Sequence, residues 1–327
     1  MIELHNNNGY KIIDVIIPNY NGGKYLEDCL ASLREQTFKH FSVFVIDNAS
    51  TDGSDLIVKD RFPEYNIIRL DKNYGFARAV NEGIRQSDAE YIILLNNDVI
   101  VNKKFIENLY KAIDNSNNVF SYQAKMLNMF ARDRIDSAGD LYCALGWAFA
   151  LGKDQSSHKY DKEATIFSSC AGAAIYRRRL FDATGYFDEK HFCYLEDVDL
   201  SFRARINGYS NRFCPDAIVY HAGSGTSGSR HNEFKVFLAA RNNIYLLYKN
   251  LPPIMLFINL PLLLAGHLIK FGYFIKKGFG RAYFKGIVKG FCLCRENKRV
   301  VFKKGSFPNY LKIQKELWIN TIRRITG

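Results

Sequence analysis

The chain has 327 residues, 47% of them hydrophobic and 24% charged, with a net charge of +12; this is a globular composition, large enough for one big domain or a domain with an appendage. Its seven cysteines, at positions 29, 143, 170, 193, 214, 292 and 294, form no CxxC pair or regular spacing, which argues against a zinc site or disulfide framework and fits a reduced, cytosolic compartment. The opening MIELHNNNGYK has no charged-then-apolar segment, so secretion is not expected.

In chain order, Asp14 to Pro18 reads as a first strand, followed by the loop PNYNGGKY and a periodic segment from Tyr25 to Glu35. Phe41 to Ile46 reads as a second strand ending on Asp47, and the turn- and cap-rich DNASTDGS leads into a short helix over Leu56 to Phe62. Asn66 to Leu70 is a third strand, running through Asp71, Lys72 and Asn73 into the helical GFARAVNEGI. The fourth, Tyr91 to Leu95, is continuously apolar, as a strand buried on both faces should be, and stops on Asn96, Asn97 and Asp98. Phe105 to Ile113 is the next helix. Such alternation predicts an α/β fold with a doubly wound, mostly parallel sheet and helices on both faces. The strand-end loops carry Asn19, Asp47, Asp71 and Asp98, and ligands of such sheets bind beyond the carboxyl ends of the strands. Asp98 is therefore a candidate metal ligand, although Asn96 to Asp98 also suit a plain turn. Neither GxGxxG nor GxxxxGK[ST] follows the first strand, which argues against a dehydrogenase and a P-loop enzyme.

Five segments, DVIIPNYNGGKYLEDCLASL, FVIDNASTDGS, NYGFARAVNEGI, LLNNDV and YLEDVDLSFRARINGY, together resemble the signatures of family 2 inverting glycosyltransferases of GT-A fold. The forms DNAS, GFARA and NNDV most resemble the bacterial rhamnosyltransferase-like branch. The resemblance runs from about Asp14 to His221 and implies a catalytic domain over 1–250. Its nucleotide-binding half would be about 10–115 and its acceptor half about 116–250.

Transfer from a nucleotide diphosphate sugar needs charge neutralised on the leaving diphosphate and a proton removed from the attacking hydroxyl. A divalent metal, Mn or Mg, suits the first need, because hard cations take carboxylate and diphosphate oxygens. The resemblance places it on Asp98, with His221 completing the shell; His221 also suits a structural strand-end histidine. Asn96 stands where the family's DxD motif begins, so the site lacks one charge. For the second need, EDVD opens a helix with Val198, Phe202 and Ile206 on its apolar positions. Carboxylates favour a helix's first turn in any case, but the resemblance implies Asp197 as general base and Glu196 as its partner in positioning the acceptor. Arg203 is a lesser candidate for substrate phosphate. On the donor side the resemblance implies Pro18, Asn19, Tyr20 and Asp47 around the base and ribose, with Asn73, Gly75, Arg78, Asn96 and Asn97 in the following contact loops. Arg78 also suits a solvated helix position, and Ala222 to Ser229 suits either a closing loop or a linker.

The last stretch differs in kind. Lys270 to Gly327 holds fifteen Lys and Arg against Glu296 and Glu316, or +13, which leaves −1 for residues 1–269. Leu251 to Ile269 is apolar but interrupted by three prolines, Asn259 and His267. A full crossing would separate the catalytic domain from the basic tail, against the positive-inside rule, so a re-entrant or interfacial segment is expected. Beyond it Lys277, Arg281, Lys285 and Lys289 alternate with Phe279, Tyr283, Ile287 and Phe291. That pattern predicts a basic amphipathic helix on an anionic membrane surface, formed only there because Gly278, Gly280, Gly286 and Gly290 weaken it. A packing helix with a solvated basic face shares the pattern; no nucleic-acid module accompanies the charge.

The expectation is a membrane-associated inverting glycosyltransferase at the cytoplasmic face of the cell membrane. It would add a sugar, dTDP-L-rhamnose or else a UDP-hexose being the donor, to a polyprenyl-diphosphate-linked saccharide in polysaccharide or cell-envelope synthesis. Two rivals are a sugar-phosphate nucleotidylyltransferase, which should carry a glycine-rich first loop in place of PNYNGG, and a non-catalytic membrane-bound nucleotide or sugar binder, which would have no use for Asp197.

Overall fold

A computed structural model describes residues 11–114, 116–223 and 231–326. The first half builds β1 (Ile13–Asn19), α1 (Gly23–Arg34), β2 (Phe41–Asp47), α2 (Ser54–Arg61), β3 (Asn66–Arg69), α3 (Phe76–Gln86), β4 (Tyr91–Leu95), β5 (Val99–Val101) and α4 (Phe105–Ala112). The second half builds β6 (Val119–Asn128), β7 (Ile135–Ser137), β8 (Asp140–Cys143), β9 (Trp147–Ala150), β10 (Ala164–Ile166), β11 (Ala173–Arg177), α5 (Phe181–Thr184), α6 (Glu196–Ile206) and β12 (Ser210–His221). Four further helices follow: α7 (Glu233–Asn250), α8 (Pro253–Lys276), α9 (Gly280–Glu296) and α10 (Phe307–Thr326).

The main sheet runs β10-β12-β6-β11-β4-β1-β2-β3, with β5 on β12 and β7 on β6. β4, β1, β2 and β3 are mutually parallel; β11 enters antiparallel to both β4 and β6. Helices cover both faces, so strand side chains alternate between two cores. Ile13, Val15, Ile17, Tyr91, Ile93 and Leu95 meet one cluster with α1, α2 and α4, while Ile16, Ile92 and Leu94 meet the other with α3 and α6. That double burial is why β4 is apolar at every position. The register pairs Asn19 with Asp47 at the strand ends, which puts the first two polar loops side by side.

The C-terminal helices dock onto the second half. One cluster joins Leu141, Phe167 and Phe202 to Met255, Leu263, Tyr310, Ile313 and Leu317. On α8 the buried residues are Met255, Asn259, Leu263 and Gly266, a single helical stripe. Asn259 is tied to Gln314 by reciprocal bonds of 2.7 and 2.9 Å and accepts from Trp318 Nε1 at 3.0 Å. A Cβ at Gly266 would stand 2.1 Å from the Leu145 carbonyl oxygen, so helix and β8–β9 turn touch through backbone. The opposite stripe, including Ile254, Phe257, Leu264 and Leu268, is exposed.

Two sequence expectations change here. The basic helix begins at Gly280, not Lys277, because α8 continues to Lys276. Its aromatic stripe is largely internal: Tyr283 is buried, and Phe279 and Ile287 pack in the same α7–α9 cluster. Gly286 and Gly290 are contact points, since a Cβ there would lie 2.5 Å from the Phe237 oxygen and 2.7 Å from the Arg241 oxygen of α7. Tertiary packing thus supplies what the glycines cost in propensity. Of the glycine/serine segment 222–229, residues 224 onward lie outside the described residues.

Candidate active site

The four strand-end loops form one hydrogen-bonded edge. Asn19, buried at the end of β1, donates from Nδ2 to Asp47 Oδ1 (3.1 Å), Ser50 Oγ (3.2 Å) and Ser54 Oγ (2.8 Å), and accepts from Asn97 Nδ2 at 2.7 Å. Asn48 donates to Asn73 Oδ1 at 3.0 Å and to the Gly75 carbonyl at 3.1 Å. Gly75, at φ +84°, lies so close to Phe192 that a Cβ would meet its carbonyl oxygen at 2.5 Å. Tyr20 is exposed and Pro18 half-buried at the mouth of this edge. Asp47 is wholly enclosed, with Oδ2 accepting from Ser50 N–H at 3.2 Å; the carboxylate shapes the loops from within. Arg78 is exposed and lies over the Tyr74 ring, 3.9 Å from its centroid. Asn96 N–H donates to the Gly172 carbonyl at 2.9 Å, linking this edge to β11.

Asp98 and His221 come together although 123 positions apart in the chain. β5 pairs with the end of β12, setting Val99 opposite His221, and Asp98 Oδ1 lies 3.3 Å from His221 Nε2. The other ring nitrogen, Nδ1, is 2.7 Å from Asp136 Oδ2, and Asp136 is in turn paired with Lys153. Burial alone would lower the His221 pKa, but the hydrogen bonds and charges of Asp136 and Asp98 outweigh it and hold it at about 9. Burial opposes ionisation of Asp136 too, yet His221 and Lys153 bring its pKa down to about 2. The pair Asp98–His221 therefore prefers a positive charge between its atoms. Two ligands at right angles about 2.1 Å from an octahedral ion lie about 3 Å apart, so the observed separation fits a metal. Asp136 stands behind the ring, where a carboxylate would orient an imidazole toward a metal. Asp136, on β7, was not legible in the sequence; no motif or period marks it.

The second centre is the start of α6. Phe192, Tyr194 and Leu195 all have positive φ, at 63°, 70° and 68°, an uncommon and costly backbone for such side chains. The turn is held from α7: Asn242 Nδ2 donates to the carbonyls of His191 (2.9 Å), Cys193 (2.8 Å) and Tyr194 (2.7 Å). Arg241 donates to the Lys190 and His191 carbonyls and orients Asn242 through its Oδ1. This turn delivers Glu196 buried and Asp197 half-buried. Asp197 Oδ1 accepts from Val198 N–H at 2.7 Å, and Oδ2 lies 3.4 Å from Ala171 N–H. Burial raises the Asp197 pKa; burial and then the charge of Asp197 push Glu196 well above the usual carboxylate range. A third acid, Asp140 at the start of β8, lies with Cys170 and Asp197 so that their ligand atoms are within 4.8 Å of one another. Burial, then Asp197, pushes Asp140 up to about 7. The cluster can share a proton among its buried carboxyl groups.

Arg203 is not available to a substrate. It is buried, pairs with Asp199 at 2.9 Å and donates to the Thr184 and Tyr186 carbonyls. Asp188, His191 and Asp199 also cluster, but Lys249 Nζ fills that group at 2.6 Å from Asp188 and 2.8 Å from Asp199.

The family model described as "Glycosyl transferase family 2" matches residues 14–185. The chain is 26% identical over 265 residues to an N-acetylglucosaminyl-diphospho-decaprenol L-rhamnosyltransferase of Mycobacterium tuberculosis, covering 71% of this chain and 85% of that one. It is 25% identical over 238 residues to the low-salt glycan biosynthesis hexosyltransferase Agl10 of Haloferax volcanii, covering 70% and 73%. Among solved structures, the mannosyltransferase PcManGT of Pyrobaculum calidifontis, in complex with GDP-Man and Mn2+, aligns at TM-score 0.55 and 16% identity over 94% of this chain and 85% of its own. TarS 1-349 of S. aureus, in complex with UDP-GlcNAc, aligns at 0.53 and 22%, over 92% and 78%.

Proposed function

Because this chain belongs to glycosyl transferase family 2, a family of nucleotide-sugar enzymes, we propose that it is an inverting transferase with Asp197 as general base and a divalent metal on Asp98 and His221. The observation that carries the reading is the facing pair Asp98 Oδ1 and His221 Nε2, 3.3 Å apart with Asp136 behind the ring. Bound there, the metal would neutralise charge on the leaving diphosphate.

The chain's own residues account for the rest. The acceptor hydroxyl oxygen attacks the anomeric carbon while its proton passes to an Asp197 oxygen. The bond from that carbon to the diphosphate breaks, its electron pair leaving with the diphosphate. One displacement with one base inverts the carbon. A carboxylate whose pKa burial has raised is the stronger base near neutral pH. Buried Glu196 keeps its proton and presents a donor beside the incoming hydroxyl. Asn19, Asn97, Asn48, Asn73 and Gly75 hold the donor loops, with Pro18, Tyr20 and Arg78 at their surface.

We further assign dTDP-L-rhamnose as donor, UDP-hexoses being the alternative, and a saccharide on a polyprenyl diphosphate as acceptor. The likeness to the mycobacterial rhamnosyltransferase supports both. The exposed stripe of α8, on a helix long and apolar enough to cross a membrane, together with the +13 tail, supports docking to the anionic cytoplasmic face. The docking of the other stripe of α8 on protein supports a helix that lies along the surface or enters it without crossing. The catalytic region is 1–250 and the membrane-associating region 251–327.

The test incubates the purified chain with dTDP-L-rhamnose or UDP-hexoses, Mn or Mg, and N-acetylglucosaminyl diphosphate on a short polyprenyl chain. A lengthened lipid-linked product of inverted configuration is expected. Nucleotide binding without transfer to any acceptor would leave a binding module in its place.

A further inference from the structure

α7 and α9 run parallel, since Phe237 meets Gly286, Arg241 meets Gly290 and Ile244 meets Cys294 in turn. Their amino ends therefore open at the same end of the pair. At that end lies a cleft of about 320 Å³ lined by Glu233, Phe234, Phe237, Arg281, Ala282 and Lys285. Arg281 and Lys285 are exposed, and with Lys289 they make no ion pair among the described residues. The first turn of α9 has no acidic residue and no side-chain cap, so its free N–H groups and dipole favour an anion beside those cations. Among the described residues Glu233 is the single carboxylate of the lining. The rest is apolar: Phe234, Phe237 and Ala282, with Phe234 51% exposed.

The cleft adjoins the turn that carries Asp197. Phe234 meets Phe192 edge-on, 6.2 Å between centroids, and Phe192 opens the strained turn into Glu196 and Asp197. Cations next to exposed aromatic rings, beside a transferase centre, match a ligand that is dianionic at one point and hydrocarbon beyond it.

We propose that the cleft between the amino ends of α7 and α9 binds the diphosphate of the lipid-linked acceptor through Arg281 and Lys285, with Phe234 and Phe237 against the first isoprene units. The assignment rests on the lipid-linked reading of the acceptor. It goes further in saying where the lipid is gripped and that the grip is separate from the donor's metal.

The probe is farnesyl diphosphate, titrated against the full chain in neutral phosphatidylcholine vesicles, with farnesol and inorganic pyrophosphate as competitors. Farnesyl diphosphate should bind at least about tenfold tighter than either competitor, since neither offers both charge and hydrocarbon. Arg281→Gln with Lys285→Gln should weaken it at least about tenfold, charge-assisted hydrogen bonds being the strong ones, while melting temperature and nucleotide binding stay put. Phe234→Ala should weaken it with pyrophosphate binding unchanged. Equal binding by wild type and the double variant overturns the assignment, as does pyrophosphate competing as well as the lipid. Farnesyl diphosphate binding at the cleft without transfer from any nucleotide sugar would support the cleft and sink the functional reading instead.

Discussion

The edge proposed to hold the donor and the turn that carries the proposed base solve the same problem, that of holding polar groups still, in opposite ways. At the donor edge, Asn19, Asp47, Asn48, Asn73 and Asn97 brace one another across adjacent strand ends of one parallel sheet. The base turn cannot brace itself: three positive-φ residues in four positions are held by Asn242 and Arg241 from α7, about fifty residues downstream. Beneath it Lys249 ties Asp188 to Asp199. Nucleotide binding should therefore survive damage to α7 that disables transfer.

The largest separation comes from the base itself. Asp197→Asn should lower kcat by about 10²–10⁴-fold, the usual worth of a positioned base, with nucleotide affinity unchanged by calorimetry. Full activity in that variant would break the comparison at its root.

Lys249→Met tests the support beneath the turn. It leaves buried Asp199 with Arg203 as its remaining cation and takes from part-buried Asp188 the cation it shares; losing one partner of a buried charge costs about 3 kcal/mol, to be read by urea denaturation. The sign with pH is fixed. Burial would raise the Asp199 carboxyl, but Lys249 and Arg203 hold it well below the usual range, and Lys249 likewise lowers Asp188. Groups depressed in the folded state stabilise above their unfolded pKa of about 4 and lose that contribution as pH falls. Wild-type stability should drop below about pH 4, and the variant's curve should be flatter there.

Asn242→Ala acts on position alone. With three carbonyls released, Asp197 shifts, and a misplacement of about 1 Å costs about 10²-fold. The loss should appear in kcat, with donor KM unchanged. Smallest is Asn96→Asp at the donor edge. A second carboxylate beside Asp98 should tighten Mn binding by about tenfold, one charge-assisted contact's worth, without changing the base-side pH profile.

The same contrast explains what was legible in the sequence. Asn19, Asp47 and Asp98 sit where strand runs stop, so local pattern predicts both the parallel sheet and its loops. Asp136 and Asp140 sit on β7 and β8, strands of three and four residues, too short for any period to show. Asn242 and Lys249 look like ordinary polar positions of a helix, and their partners are decided only by how α7 packs. In α9 the glycines suggested weakness in isolation, whereas against α7 they are what permits contact. Arg203 faces inward because Asp199, four residues before it on the same helix, is buried with it.

α8 is pinned along its length by Asn259 and Gly266, so the height of Asp197 above any bilayer on which that helix rests is constant. An enzyme mounted as proposed would be a gauge as well as a catalyst: it would meet hydroxyl groups at one elevation and leave a product that has outgrown the slot. Acceptors lengthened sugar by sugar should show a sharp maximum in kcat/KM at one length, whereas a loosely tethered domain would give a plateau.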